Sequence, residues 1–422
     1  MDHAAENCEV AVVGTGAAGL MAGIHAARGL DGARRVVGLD GARRIGAKIL
    51  VAGGGRCNVT HHAVRPEDYA GSSRNSIRKV LGRFPVEATV AFFAELGVEL
   101  KREETGKLFP TTDKAATVLT ALLEAWRDAG ADLRFPRRIE SIEREGDGFL
   151  LTGPGTHLRA DRVVLATGGR ALPKTGSDGL GYEFARGLGH SITPAVHPAL
   201  VPLVLPDRDP IRGISGIAVP ARLGVRDGRG RVLASYEAPI LCTHFGVSGP
   251  VVLDASRHLL AAQRSGDHRA TVVVDWLPGE ARESFERMLL EARGNQQVGR
   301  LLRGRLPERL ISTLCLLAGT RPEDRARGLS REERRKLLDA IFAHPLQVVG
   351  DRGYTFAEAT AGGVPLSEVR LDSMESRIVP GLHLVGEILD VDGRVGGFNF
   401  QWAWASGFVA GNAIAEATAT AR

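Results

Sequence analysis

Cysteine is scarce in this chain. Cys8, Cys57, Cys242 and Cys315 are the four among 422 residues, and no two are close in sequence. That spacing excludes a Cys-x-x-Cys redox pair and a zinc knuckle, so no metal site is expected. Free thiols fit a reducing, cytoplasmic setting. Aromatic residues make up only 5% of the chain, too few for a broad base-stacking platform on single-stranded nucleic acid. No uninterrupted apolar run reaches the roughly 18 residues of a membrane helix. The first residues, Met1-Asp2-His3-Ala4-Ala5-Glu6, lack the basic and apolar regions of a signal peptide, and none is expected. Charge of one sign is also missing: 54 basic residues stand against 49 acidic ones. A net charge of +5 favours anionic ligands only weakly. Neither an internal repeat nor a low-complexity segment is visible.

What the chain has in excess is glycine, at 53 of 422 residues against a norm of roughly 7%. The glycines sit in short runs beside apolar runs, as where a backbone must approach a ligand closely. The length allows about two or three domains.

The first strong pattern is Glu9-Val10-Ala11-Val12-Val13, then Gly14-Thr15-Gly16-Ala17-Ala18-Gly19, then Leu20 to Ala27. It reads as strand, tight turn and helix. A second apolar run, Arg35 to Leu39, ends at Asp40 and completes a βαβ unit. A lone G-x-G-x-x-G is weak evidence, but here it follows a strand, precedes a helix and has an acid at the end of the next strand. Gly14 makes the turn, Gly16 lets backbone N–H groups reach a pyrophosphate, and Gly19 allows helix–strand packing. The helix N-terminus adds partial positive charge. Asp40 is placed to accept hydrogen bonds from ribose hydroxyls.

The fold class expected is α/β, a split Rossmann-like FAD domain with an inserted β-barrel and a helical insertion. Residues 1–197 form the first part of the dinucleotide domain. Short β-like pieces occupy 198–277. Residues 278–345 read as arginine-dense helices, and 346–422 return to the α/β domain. Two features favour FAD over NAD. One is the Ala166-Thr167-Gly168-Gly169 turn after a buried strand. The other is the late strand entering Gly386-Glu387, with a helix starting near Asn399 whose N–H groups would face the flavin's pyrimidine edge. Only one G-x-G-x-x-G is present, so NAD(P)H is expected only as a transient reductant.

The stretch Gly46 to Thr60 is the most unusual. Gly53, Gly54 and Gly55 leave the backbone bare. Lys48 and Arg56 supply charge for phosphate or reduced flavin, and Asn58 offers amide hydrogen bonds. Cys57 beside Arg56 could carry a depressed pKa and move a proton; it could equally be a small buried apolar residue. His244, in Thr243-His244-Phe245-Gly246-Val247-Ser248, is a second candidate proton carrier or a structural histidine. Ser248 lacks the frame of a hydrolase elbow.

These residues together resemble the bacterial BaiN/RdsA-type NAD(P)/FAD-dependent oxidoreductases, the aminoacetone-oxidase-like flavoproteins. Five stretches carry the resemblance: Gly14 to Gly19, Gly46 to Thr60, Thr175 to His190, Thr243 to Pro250 and Gly362 to Gly411. It implies non-covalent FAD in a split FAD domain. It also implies a set of cofactor contacts. Gly14, Gly16, Ala17, Ala18 and Gly19 form the phosphate loop. Asp40, where the family usually has glutamate, is the ribose acid. Ile139 contacts the adenine through its backbone, and Thr167 and Gly168 lie by the dinucleotide. Gly386, Glu387 and Asp390 approach the ribityl chain or pyrophosphate. Gly397, Phe398 and Asn399 approach the isoalloxazine. The resemblance spans several activities and does not choose among them. An NAD(P)H-driven hydride transfer through flavin to an electron-poor double bond, in a small molecule or in RNA, stands first. Oxidation of a small amine and a non-catalytic, flavin-bound interaction protein are the alternatives.

Overall fold

The computed structural model describes residues 5–30 and 35–420. The chain folds as two units, 1–197 with 359–422, and 198–358.

In the first unit, apolar runs with no alternation become strands covered on both faces. Glu6–Val13 is the central strand. It pairs in parallel with Val36–Leu39 on one side and with Thr156–Leu165 on the other. Asp132–Arg134 extends the sheet beyond Val36–Leu39. The last residues of Thr156–Leu165 pair in parallel with Leu382–Leu384. Its first half instead carries an antiparallel meander, Gly148–Gly153 and Ser141–Glu145. Val10, Ala11, Val12, Val37, Val163, Val164 and Leu165 have no solvent exposure. Trp126, on helix Ala115–Asp128, lies over this sheet where only glycine leaves room. A Cβ at Gly23 would come within 2.1 Å of its ring, and one at Gly38 within 2.7 Å.

The helix Ala17–Gly29 packs backbone to backbone on the long helix Phe398–Thr420. A Cβ at Gly407 would fall 2.5 Å from the Ala18 carbonyl oxygen, and one at Gly411 2.5 Å from that of Ala22. The four-residue spacing puts both glycines on one helix face. The phosphate-loop helix and the final helix are therefore fixed against each other.

The second unit is built on a seven-stranded antiparallel sheet. From one edge to the other it runs His344–Leu346, Thr271–Asp275, Ala218–Arg226, Val232–Thr243, Gly246–Ser248, Leu203–Val204 and Gly350–Asp351. Helices Arg282–Leu290, Glu308–Ala318 and Arg331–Phe342 share its core through Phe285, Leu289, Leu314 and Ile341. Two expectations differ. The return to the first unit lies at 359, not 346, because Gly350–Asp351 pairs with Leu203–Val204. The stretch read as wholly β also contains a 15-residue helix, Pro250–Arg264, with proline in its first turn, where its missing N–H costs nothing. No helix among the described residues is long and apolar enough to cross a membrane.

Candidate functional site

The glycine turn and the helix behind it set the geometry. Gly14 donates its N–H to the Leu39 carbonyl at 2.8 Å, tying the turn to the neighbouring strand. Gly19 packs so tightly that a Cβ there would lie 1.9 Å from the Gly14 carbonyl oxygen. Gly16 is the opposite: a Cβ there would meet nothing within 4 Å. It is the N-cap of Ala17–Gly29, with no side-chain cap and no acid in the first turn. The first N–H groups of a helix have no intrahelical acceptor. Those of Ala17 and Ala18 thus border an open space that suits an anion.

Asp40 closes this turn from the side. Its Oδ2 accepts from the Thr15 N–H at 2.8 Å and from the Thr15 hydroxyl at 3.1 Å, and its Oδ1 accepts from the Ala42 N–H at 2.9 Å. A carboxylate has about four lone-pair sites, and three are used here, so Oδ1 keeps acceptor capacity for one further donor such as a hydroxyl. Thr15, with no solvent exposure, was not singled out in the sequence, although its place inside the motif marked it.

Two side-chain atoms test whether a cofactor fits. The Thr167 hydroxyl and the Asn58 carbonyl oxygen are buried and lack hydrogen-bond partners among the described residues. Buried polar atoms are normally paired. Both lie in segments expected to line the dinucleotide, and Gly168 beside Thr167 has a left-handed φ of 72°. The open space at Gly16 and these two orphaned atoms fit an extended dinucleotide.

The run Ala47–Gly55 is helical only in its first half. Ala52 breaks it, and Gly53, Gly54 and Gly55 have φ of 58°, 68° and 86°. Three successive left-handed residues exclude side chains, and a Cβ at Gly54 would meet nothing. The bare backbone expected there is present.

Lys48 and Arg56 are not the free cations the sequence suggested. Lys48 Nζ donates to Glu387 Oε2 at 2.8 Å, and Glu387 Oε1 accepts from the Thr360 N–H at 3.0 Å. Arg56 donates to Glu103 at 2.5 Å, and its guanidinium lies 4.1 Å from the centre of the Phe109 ring.

Cys57 is corrected as well. It has no solvent exposure, and burial pushes its thiol up to about 12 instead of down. Adjacency to Arg56 does not help, because the arginine side chain leaves towards Glu103. A buried thiol of this kind is inert. Cys57→Ala is expected to keep its flavin and its turnover within about twofold and to cost roughly 1 kcal/mol. Steady-state rates and thermal melting check this. A hundredfold loss of rate at unchanged flavin content would restore Cys57 as a proton carrier.

At the far end of the site, Gly386 is held by the final helix. Its N–H donates to Ser406 Oγ at 3.0 Å, and its carbonyl accepts from Trp402 Nε1 at 3.1 Å. Asp390 is half-buried and accepts from the Ser72 hydroxyl at 3.3 Å. Burial, and then the nearby Asp392, raise its carboxyl to about 6. Gly397 packs on Thr60, where a Cβ would come within 2.6 Å of backbone.

Phe398 and Asn399 cannot offer their side chains. Phe398 is 3% exposed and stacks on His61 at 5.0 Å between centroids. Asn399 is engaged by Gly393, accepting from its N–H at 2.8 Å and donating to its carbonyl at 3.2 Å. What this end can present is the first-turn N–H groups of Phe398–Thr420. Ile139 is buried in the irregular segment before strand Ser141–Glu145, not within it.

His244 belongs to the second unit, exposed in the turn between Val232–Thr243 and Gly246–Ser248. Residues not foreseen include Thr360, whose buried hydroxyl accepts from the Arg170 and Ala171 N–H groups at 2.8 and 3.0 Å. His61 is another. Isolated polar residues give no periodic signal. No metal-binding cluster occurs among the described residues.

The family model described as "HI0933-like protein Rossmann domain" matches residues 8–413. The 3-dehydro-bile acid delta(4,6)-reductase of Clostridium scindens is 37% identical over 411 residues, 96% of this chain and 99% of that protein. The ribosomal RNA dihydrouridine synthase of Escherichia coli is 30% identical over 403 residues, 95% and 96% of the two chains. Among solved structures, a 3-ketosteroid delta1-dehydrogenase from Sterolibacterium denitrificans aligns with a TM-score of 0.50 at 13% identity, covering 98% of this chain and all of that one. That last likeness speaks for the fold alone.

Proposed function

The chain belongs to the HI0933-like Rossmann family, and from that premise we propose that this flavin-dependent oxidoreductase saturates a carbon–carbon double bond conjugated to a carbonyl. One observation carries the reading. Two relatives that span almost the whole chain are named for such reductions, a delta(4,6)-reductase and a dihydrouridine synthase. Dihydrouridine is uridine with its ring double bond saturated.

In this reading FAD, bound non-covalently, supplies the two-electron chemistry, and NAD(P)H is the reductant. The protein's part is to hold and to orient. Ala17 and Ala18 direct N–H groups to the pyrophosphate over Gly16. Asp40, braced by Thr15 and Ala42, takes a ribose hydroxyl. Thr167 and Asn58 pair their orphaned oxygens with donors on the cofactor. Glu387 is held in place by Lys48 and the Thr360 N–H. The N–H groups at the start of Phe398–Thr420 favour negative charge building beside them. In this reading His61, which stacks on Phe398 at the start of the final helix, is the proton source proposed within the first unit, and the buried Cys57 is not.

The test is anaerobic spectroscopy of the yellow protein. NADH or NADPH is expected to bleach the flavin. A 3-oxo-Δ4 steroid or a uridine-containing ribosomal RNA fragment is then expected to restore the colour in the absence of oxygen. If neither nicotinamide bleaches the flavin and a small amine does, the reductase reading is wrong and an amine oxidase takes its place.

A further inference from the structure

The second unit holds an arginine with an unusual setting. Arg352 lies between two phenylalanine rings, its guanidinium carbon 4.4 Å from the centre of Phe245 and 4.0 Å from that of Phe356. Such contacts hold the guanidinium by cation–π attraction and leave its planar set of donors free for a ligand. Among the described residues the side chain makes no hydrogen bond and no ion pair. The neighbouring Asp351 forms no ion pair with it; its Oδ1 accepts from the Gly353 N–H at 2.6 Å.

The surroundings keep the clamp in place. The Arg352 N–H donates to the Pro202 carbonyl at 3.1 Å, and the Phe356 N–H donates to that of Gly353 at 3.1 Å. On the other side, Arg212 donates to the His244 carbonyl at 2.8 Å and to the Leu205 carbonyl at 3.1 Å, pinning the turn that carries Phe245. The His244 ring stands edge-on to Phe245, 5.1 Å between centroids. Phe356 remains 49% exposed. The half-buried guanidinium it covers therefore stays within reach of solvent. That setting suits a cation that receives a ligand.

We propose that Arg352 is an oxyanion-binding residue of the second unit. The clamped fork matches a group with two coplanar oxygens, a carboxylate or a phosphodiester. His244 and the exposed ring of Phe356 flank it, so the anion would be attached to an apolar or aromatic body. The choice of ligands tested follows the reductase reading; the binding itself does not rest on it. The same chemistry has two sources here, the carboxylate of a small hydrophobic acid and the backbone of RNA.

Calorimetry on the full-length, flavin-loaded protein separates them with two ligand pairs. One pair is a 3-oxo-Δ4 steroid carboxylic acid and its methyl ester. The other is a uridine-containing RNA hairpin and the same hairpin with neutral methylphosphonate linkages. The unaltered protein is expected to prefer the charged member of one pair, which identifies the source. Arg352→Gln is expected to weaken that member by about tenfold to a hundredfold and to leave its neutral partner unchanged. Arg352→Lys keeps the charge without the fork and should recover only part of the loss. Phe356→Ala, which frees one face of the guanidinium, should weaken binding about threefold to tenfold and guards against a folding defect in the first variant. No preference for charge in either pair, or equal losses for charged and neutral ligands, overturns the proposal. An Arg352-dependent preference without turnover of either ligand would overturn the reductase reading and leave the anion site standing.

Discussion

Gly16→Val is expected to yield a folded but colourless protein, and Gly19→Val a poorly folded one. The two positions are three residues apart in one motif, yet they meet opposite surroundings. At Gly16 the backbone is extended, with φ −77° and ψ −161°, which any residue adopts, and an added Cβ enters open space. Valine there fills the room in front of the helix N-terminus without touching the protein. Flavin affinity should fall by at least about a hundredfold, because an anion kept away from those N–H groups loses several charge-assisted hydrogen bonds. The melting temperature of the apoprotein should move by no more than about 2 °C. At Gly19 the new Cβ falls 1.9 Å from the Gly14 carbonyl oxygen and 3.2 Å from the Ala166 side chain. Helix and strand must separate, at a cost of about 1–3 kcal/mol or more, or very roughly 5–10 °C. The ratio of flavin to protein absorbance after purification and calorimetry of both apoproteins give the answer. A yellow Gly16→Val protein would remove the phosphate loop from this account.

Asp390→Asn is expected to stabilise the apoprotein above neutral pH and to do nothing near pH 4. The carboxyl of Asp390 is raised to about 6 by burial and by Asp392, against an ordinary value near 3.9. A carboxyl that is harder to ionise in the folded state carries no penalty below the ordinary value. The penalty grows between about pH 4 and 6 and is complete above it. Its ceiling is about 3 kcal/mol from the size of the shift. Partial contact with solvent brings it nearer 2 kcal/mol. Asparagine imitates the protonated acid and keeps the Ser72 contact, so the variant's stability should be flat where the natural protein's declines. Denaturant melts at pH 4 and pH 8 measure the difference. Equal gains at both pH values would place the effect in packing instead of charge.

The parts of the site legible in the sequence are those with local signatures. Strand, turn, helix and the acid follow one another between Glu9 and Asp40, and periodicity with glycine spacing suffices to place them. What was not legible depends on residues far apart in the chain. Arg56 neighbours Cys57 in sequence, but its charge goes to Glu103, so the thiol is buried without a cation. Lys48 finds Glu387, and no local pattern joins them. Asn399 faces the right way in sequence and is consumed by Gly393. The boundary at 359 escaped for a similar reason. Gly350–Asp351 is too short a strand to show alternation, and only its pairing with Leu203–Val204 gives it away.

The glycine contacts between Ala17–Gly29 and Phe398–Thr420 have a consequence for biosynthesis. The strand Glu6–Val13 and its helix leave the ribosome early, but the surface that covers them is not translated until Gly407 and Gly411 have emerged. Until then the nascent first helix exposes Ala18 and Ala22 with nothing to lie against. The second unit, being continuous from 198 to 358, meets no such delay and is free to fold on the way. The pairing of these two helices therefore waits until the chain has reached Gly407 and Gly411.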